Sequence, residues 1–167
     1  CGGSSKKGYN IGVCQLVQHP ALDAATQGFK DALTAQLGDA VTFDLQNAAG
    51  DSATCATIAN QFVSSNVDLI MANATPPLQA AAAATNEIPI LGTSVTEYGV
   101  ALNLTDFDGL VGGNISGTSD LAPLDGQADI FTELLPEVKK VALLYCSAEA
   151  NSQYQVDKVN EFLTAKG

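Results

Sequence analysis

The sequence predicts an α/β fold, a mostly parallel sheet covered by helices on both faces. Three observations carry the prediction. Short apolar runs of strand length alternate with amphipathic stretches of helix length. The apolar runs are mostly continuous, as in strands buried on both faces. Capping and helix-ending residues stand between them where such units need punctuation.

The first strand is expected over residues 9–16 (YNIGVCQL). Residues 20–36 follow as a helix, with Leu22, Ala25, Phe29, Ala32 and Leu33 on one face and Gly38 just past its end. Residues 41–46 (VTFDLQ) alternate with the period of a strand. Asp51 or Ser52 caps a second helix running to about Ser65, with Ile58, Ala59 and Phe62 facing inward. Residues 67–72 (VDLIMA) read as a third, buried strand, 77–86 as a short alanine-rich helix, and 88–91 (IPIL) as a fourth strand. The stretch 98–113 is expected to be loop, ending in Gly109, Gly112 and Gly113, and 114–118 (NISGT) a fifth strand.

The pattern then changes to helix (124–135), apolar strand (141–145, VALLY) and helix (151–165). One strand with two helices cannot bury a sheet face alone. The expected organisation is therefore a tether at 1–8, a first α/β lobe at 9–120, and the start of a second, incomplete α/β lobe at 121–167.

Composition removes several functions. The net charge is −11, with seven lysines and no arginine. A nucleic-acid binder needs clustered cations to displace counterions from phosphates, so none is expected as a partner. No apolar run approaches the ~18 residues of a membrane span. Of the four cysteines, Cys1 opens the chain ahead of Gly2-Gly3-Ser4-Ser5-Lys6-Lys7, the small flexible segment that lipoprotein processing leaves behind. Cys1 is thus expected to carry lipid. Cys14, Cys55 and Cys146 have no metal-ligand spacing and are assigned no chemistry; Cys14 and Cys146 sit in strand-like runs as small hydrophobes. Neither metal nor cofactor is expected.

Several segments in order resemble one family. They are Gln15-Leu16-Val17-Gln18-His19-Pro20-Ala21-Leu22-Asp23, Gln46-Asn47-Ala48-Ala49-Gly50-Asp51, and Val67-Asp68-Leu69-Ile70 running on to Ala74-Thr75-Pro76. Ile88-Pro89-Ile90, the run from Gly112 to Asp120, Leu134-Leu135-Pro136 and Glu149-Ala150-Asn151-Ser152 continue the set. Together they resemble the substrate-binding lipoproteins of ABC importers that have the type 1 periplasmic-binding-protein fold, in the branch that includes tryptophan and tyrosine importers. Phe43 stands where that family often has tyrosine. The resemblance runs from about Tyr9 to the end and covers little more than half of the family's usual chain. It implies an extracytoplasmic, lipid-anchored protein that hands an amino acid, aromatic or otherwise apolar, to an ABC permease. It touches the membrane only through the anchor.

In an open parallel sheet, ligands lie beyond the carboxyl ends of the strands. The candidate contacts there are His19, Asp23, Ala74, Thr75, Ser94, Thr96 and Asp120. Helix N-termini and the hydroxyls of Thr75, Ser94 and Thr96 can donate to a ligand carboxylate. Asp23, Glu97 or Asp120 can accept from its ammonium, and Ala72 and Ala74 let the backbone approach. Each has a plainer role: His19 and Thr75 as helix caps, Ser94 and Thr96 in turns, Asp23 in a first turn that favours any acid, Asp120 at a hinge. An enzyme is not expected, for want of a phosphate loop or a nucleophile with base and orienting group. A transcription regulator of the same fold would need a basic DNA-binding segment ahead of the first strand. A sensor or receptor domain for another small molecule is the remaining alternative.

Overall fold

Residues 8–166 are described by the structure, a computed structural model. In chain order the elements are β1 (Tyr9–Gln15), α1 (Pro20–Leu37), β2 (Val41–Asn47), α2 (Ser52–Ser64), β3 (Leu69–Asn73), α3 (Thr75–Ala84), β4 (Ile90–Val95), α4 (Tyr98–Leu102), β5 (Ile115–Ser119), α5 (Leu124–Leu134) and α6 (Ala150–Ala165). The chain divides into two compact units, Cys1–Asp120 and Leu121–Gly167.

In the first unit the five strands form one parallel sheet in the order β2-β1-β3-β4-β5. Alternate residues of β1 feed two cores. Ile11 and Val13 point to the α1 side, with Val41, Met71, Phe29, Leu33 and Phe43. Cys14 points to the other, with Ile58 and Phe62 of α2, Leu78 and Ala81 of α3, and Ile70, Ala72 and Ile90 of the sheet. Helices α1 and α2 follow β1 and β2 and cover opposite faces, because β2 and β3 lie on opposite sides of β1 and the chain reverses direction across the sheet between them. Asp51 caps α2: its Oδ2 accepts from the Thr54 amide at 2.8 Å and the Thr54 hydroxyl at 2.6 Å. Those bonds hold its carboxyl below the ordinary 3.8. Gly38 closes α1 at φ 56°, in the left-handed range that glycine enters without a Cβ clash.

Three elements shift their bounds by two residues or more. β3 starts at Leu69 rather than Val67. α3 starts at Thr75 and ends at Ala84, its two prolines lying in a first turn where their missing N–H groups cost no bond. β4 runs on to Val95, taking in Thr93 and Ser94, which the sequence suggests are loop. A register irregularity between Gly92 and Val95, with Ser94 at φ 54°, keeps β5 paired across that extension.

The stretch expected to be loop contains α4. Both carboxylate oxygens of Glu97 cap it, accepting from Gly99 N at 2.9 Å and Val100 N at 2.6 Å. Tyr98 is buried in the core, and its hydroxyl donates to Thr118 O at 3.3 Å. Gly92 and Gly117 leave the room for that ring; a Cβ on either would overlap the Tyr98 hydroxyl.

In the second unit α5 and α6 pack on each other, and Lys166 pairs with Asp129. The expected strand at 141–145 is not formed as a strand, because no other segment of the described residues pairs with it. Leu144 is fully exposed, and Tyr145 is exposed as well. Cys146 is likewise exposed and outside any strand, contrary to its expected place as a small buried hydrophobe. No helix among the described residues is long and apolar enough to cross a membrane.

Candidate ligand-binding site

Hydrogen bonds knit the carboxyl ends of the strands into one continuous edge. Leu16 N donates to Asn73 O at 3.2 Å, Ala74 N to Thr93 O at 3.0 Å, and Asp120 N to Val95 O at 3.0 Å. On the far side, Ala48 N donates to Gln15 O at 2.9 Å and Gly50 N to Leu16 O at 2.8 Å. The loops into α1, α2, α3 and α4 all leave from this edge. Its centre is the crevice between β1 and β3, where the strand order switches direction and open α/β sheets hold their ligands.

A buried polar network stands at that switch point. Gln15 and Asn73 end β1 and β3, face each other in register, and are buried although every strand residue before them in those cores is apolar or small. The Thr26 hydroxyl donates to Gln15 Oε1 at 2.7 Å and accepts from Asn73 Nδ2 at 2.9 Å. Gln15 Nε2 donates to Asp23 Oδ1 at 2.6 Å and to Val17 O at 2.9 Å. Asn73 Nδ2 also donates to Leu22 O at 2.8 Å. The first turns of α1 are thereby fixed to the ends of two strands. Asn73 is 0% exposed, and among the described residues its Oδ1 has no donor. Beside the network lies a groove of about 400 Å³ lined by Gln15, Gln18, Asp23, Thr26, Lys30 and Asn47.

The sequence-expected residues distribute around this centre. His19 caps α1, its Nδ1 accepting from Ala21 N at 3.2 Å, and is exposed. Asp23 lies in the first turn of α1 with one carboxylate oxygen committed to Gln15. Thr75 is buried two residues beyond Asn73. It does not cap α3: that position belongs to Ala74, which makes no side-chain cap bond and holds φ 104°, ψ 167°, a conformation nearly reserved for glycine. Ser94 sits inside β4 rather than in a loop. Thr96 is buried and its carbonyl accepts from Ser119 Oγ at 2.8 Å. Asp120 is exposed at the end of the first unit. Both oxygens of Glu97, an expected ligand acceptor, take part in capping α4.

Sequence reasoning missed Gln15, Thr26 and Asn73. The signal was present in two of them, an amide side chain closing an otherwise apolar buried strand. Among the described residues, no cluster of three His, Cys, Asp or Glu side chains can hold a metal ion.

Residues 10–167 match the model of a family described as ABC transporter substrate binding protein. A tyrosine-binding protein of Clostridioides difficile is 44% identical over 164 residues, covering 95% of this chain and 46% of that protein. Among solved structures, an ABC domain from Streptococcus pneumoniae in complex with L-Trp superposes with TM-score 0.87 at 36% identity, over 96% of this chain and 55% of that one. A conserved domain protein from Vibrio cholerae gives TM-score 0.88 at 36% identity, with the same coverage, 96% and 55%. The fold is that of the type 1 periplasmic binding proteins. The chain spans about half the length of the relatives it matches.

Proposed function

We propose, from the premise that the chain belongs to the ABC transporter substrate-binding protein family, that it binds an amino acid outside the cytoplasm and presents it to an ABC permease. The observation that carries this reading is the switch point itself. Gln15 and Asn73 close β1 and β3 side by side, and the chain runs from them into the N-termini of α1 and α3. The ligand carboxylate is assigned to the backbone amides at those N-termini and to the hydroxyls of Thr75, Ser94 and Thr96. The ammonium is assigned to the remaining oxygen of Asp23 and to Asp120. Ala74 lets the backbone come close. His19 acts mainly through its cap on α1.

An aromatic side chain is the favoured ligand type, because one relative is named for tyrosine and another was solved with L-Trp. Closure of two lobes about a hinge near Ser119 and Asp120 would be the signal read by the permease. Cys1, which lies outside the described residues, is assigned a lipid that anchors the protein to the membrane. Mass spectrometry of the native membrane fraction showing unmodified Cys1 would remove that part of the reading.

The test of the whole uses the full-length protein. A ligand that binds only the folded state raises its melting temperature, so tyrosine or tryptophan should do so in a screen of the amino acids. Calorimetry should then show Thr75→Ala and Ser94→Ala each weakening binding about tenfold to a hundredfold, the worth of one charge-assisted hydrogen bond. His19→Ala should weaken it less. If no amino acid shifts the melting temperature, the function is wrong. If an amino acid binds but both hydroxyl variants bind it as tightly as the parent, the site is misplaced.

A further inference from the structure

The core behind the sheet contains a pair of thiols that the ligand site does not use. Gly12 of β1 lies directly under Phe62 of α2: a Cβ there would meet the ring at 2.7 Å. From this contact, Cys14 is two residues on along β1, on the same face of the strand. Cys55 is seven residues back along α2, two turns away on the same face of the helix. Because α2 returns antiparallel to β1, as a crossover helix between parallel strands must, both steps lead the same way. They bring the two thiols together at the N-terminal end of α2. Both belong to one buried cluster, Cys14 1% and Cys55 0% exposed, and each thiol is near enough to shift the acidity of the other.

We propose that Cys14 and Cys55 close to a disulfide in the mature protein, a covalent tie between β1 and α2. The oxidant is an external disulfide, carried by a thiol-oxidising protein or a small thiol, which an extracytoplasmic compartment supplies. The Cys55 thiolate attacks one sulfur of that disulfide and expels a thiolate. The Cys14 sulfur then attacks Cys55 in the mixed disulfide, forming the Cys14–Cys55 bond and releasing the second thiol. The protein's two thiols give up two protons and two electrons, and the external disulfide becomes two thiols. In the folded protein neither sulfur meets solvent. Exchange therefore belongs to folding, before α2 docks, and the finished bond is shielded from reductants. This inference rests on the extracytoplasmic location proposed above, not on the ligand site.

Peptide mapping decides it. With no arginine and lysines at 6, 7, 30, 139, 140, 158 and 166, a lysine-specific digest puts Cys14, Cys55 and Cys146 in three separate peptides, residues 8–30, 31–139 and 141–158. The full-length protein is unfolded, refolded in a mixture of oxidised and reduced glutathione, then denatured and alkylated without reductant. The expected map joins the Cys14 and Cys55 peptides and shows Cys146 alkylated. The reduced protein should melt roughly 10 °C lower, since the bond closes a loop of about 40 residues. Full alkylation of Cys14 and Cys55 after refolding, or linkage of either to Cys146 in their place, would overturn the proposal. The mapping uses the unsubstituted protein, so the result does not hang on whether a cysteine variant folds.

Discussion

Replacing Thr26 by valine removes one hydroxyl and almost no volume, so it tests the switch-point network without opening a cavity. In the parent, that hydroxyl donates to Gln15 Oε1 at 2.7 Å and accepts from Asn73 Nδ2 at 2.9 Å. Both partners are buried. In Thr26→Val the Gln15 carbonyl loses its donor and one Asn73 N–H loses its acceptor, while Asn73 keeps its bond to Leu22 O. A buried polar group left without a partner costs about 1–3 kcal/mol, so the pair should cost about 2–4 kcal/mol after some relaxation. For a unit of this size that is roughly 10 °C in melting temperature. Thr26→Ser is the control: it keeps the hydroxyl and loses one buried methyl, about 1 kcal/mol. Urea unfolding of the three proteins, with slopes compared to exclude a change in the denatured state, gives the differences. If Thr26→Val is as stable as Thr26→Ser, the hydroxyl is not holding α1 to the strand ends.

Three further outcomes follow from the same geometry. Asp51→Ala should lower the melting temperature at neutral pH. Because the cap holds the folded carboxyl below its ordinary 3.8, the parent's advantage should be complete above that value and fade as acid protonates Asp51, so melting curves taken down the acid range should converge. Burial, then the neighbouring Asp120 charge, pushes the Tyr98 phenol up to about 12. The fold thus prefers the neutral phenol and loses that stability as pH rises from 10 towards 12. Tyrosinate absorbance should show a late step that is absent in Tyr98→Phe; a late step that survives in that variant would contradict it. Gly117→Ala would drive a methyl into the Tyr98 hydroxyl and the Gly92 carbonyl, costing about 1–3 kcal/mol. A parent-like urea midpoint would mean that β5 can shift freely.

The inner strands β1 and β3 were legible because they are buried on both faces, which writes itself as unbroken apolar runs, whereas the outer β2 showed as a period-two alternation. The helices α1, α2 and α3 follow from their apolar spacing and from caps such as Asp51. α4 was hidden by its length: five residues give no periodicity, and its cap is a glutamate using both oxygens on two amides, not one of the usual short caps. The run 141–145 has the composition of a strand, but a strand also needs a neighbour, and pairing is not a local property. The site was half legible. Placing it at the strand ends needed only the parallel sheet. Picking out Gln15, Thr26 and Asn73 needed the strand order, since residues 15 and 73 meet only because β1 and β3 are neighbours. The sequence suggests ionisable and hydroxyl residues because they are the usual ligand groups. The structure instead centres the edge on two buried amides, and spends Glu97 on a helix cap.

Ala74 has a consequence for which sequences this site can carry. At φ 104°, ψ 167° it stands where a Cβ is tolerated only under constraint, at a strain of about 1–3 kcal/mol. Glycine would relieve that strain. Valine, isoleucine or threonine would add a branched side chain to a position already buried against the entry to α3. In a saturation library, position 74 should therefore behave as a two-letter site, admitting alanine and glycine and rejecting nearly all else. Its neighbour Thr75, in ordinary helical conformation, should accept serine or valine as far as folding is concerned. A selection for folding and a selection for ligand capture, run on the same library, would then part company at Thr75 and coincide at Ala74.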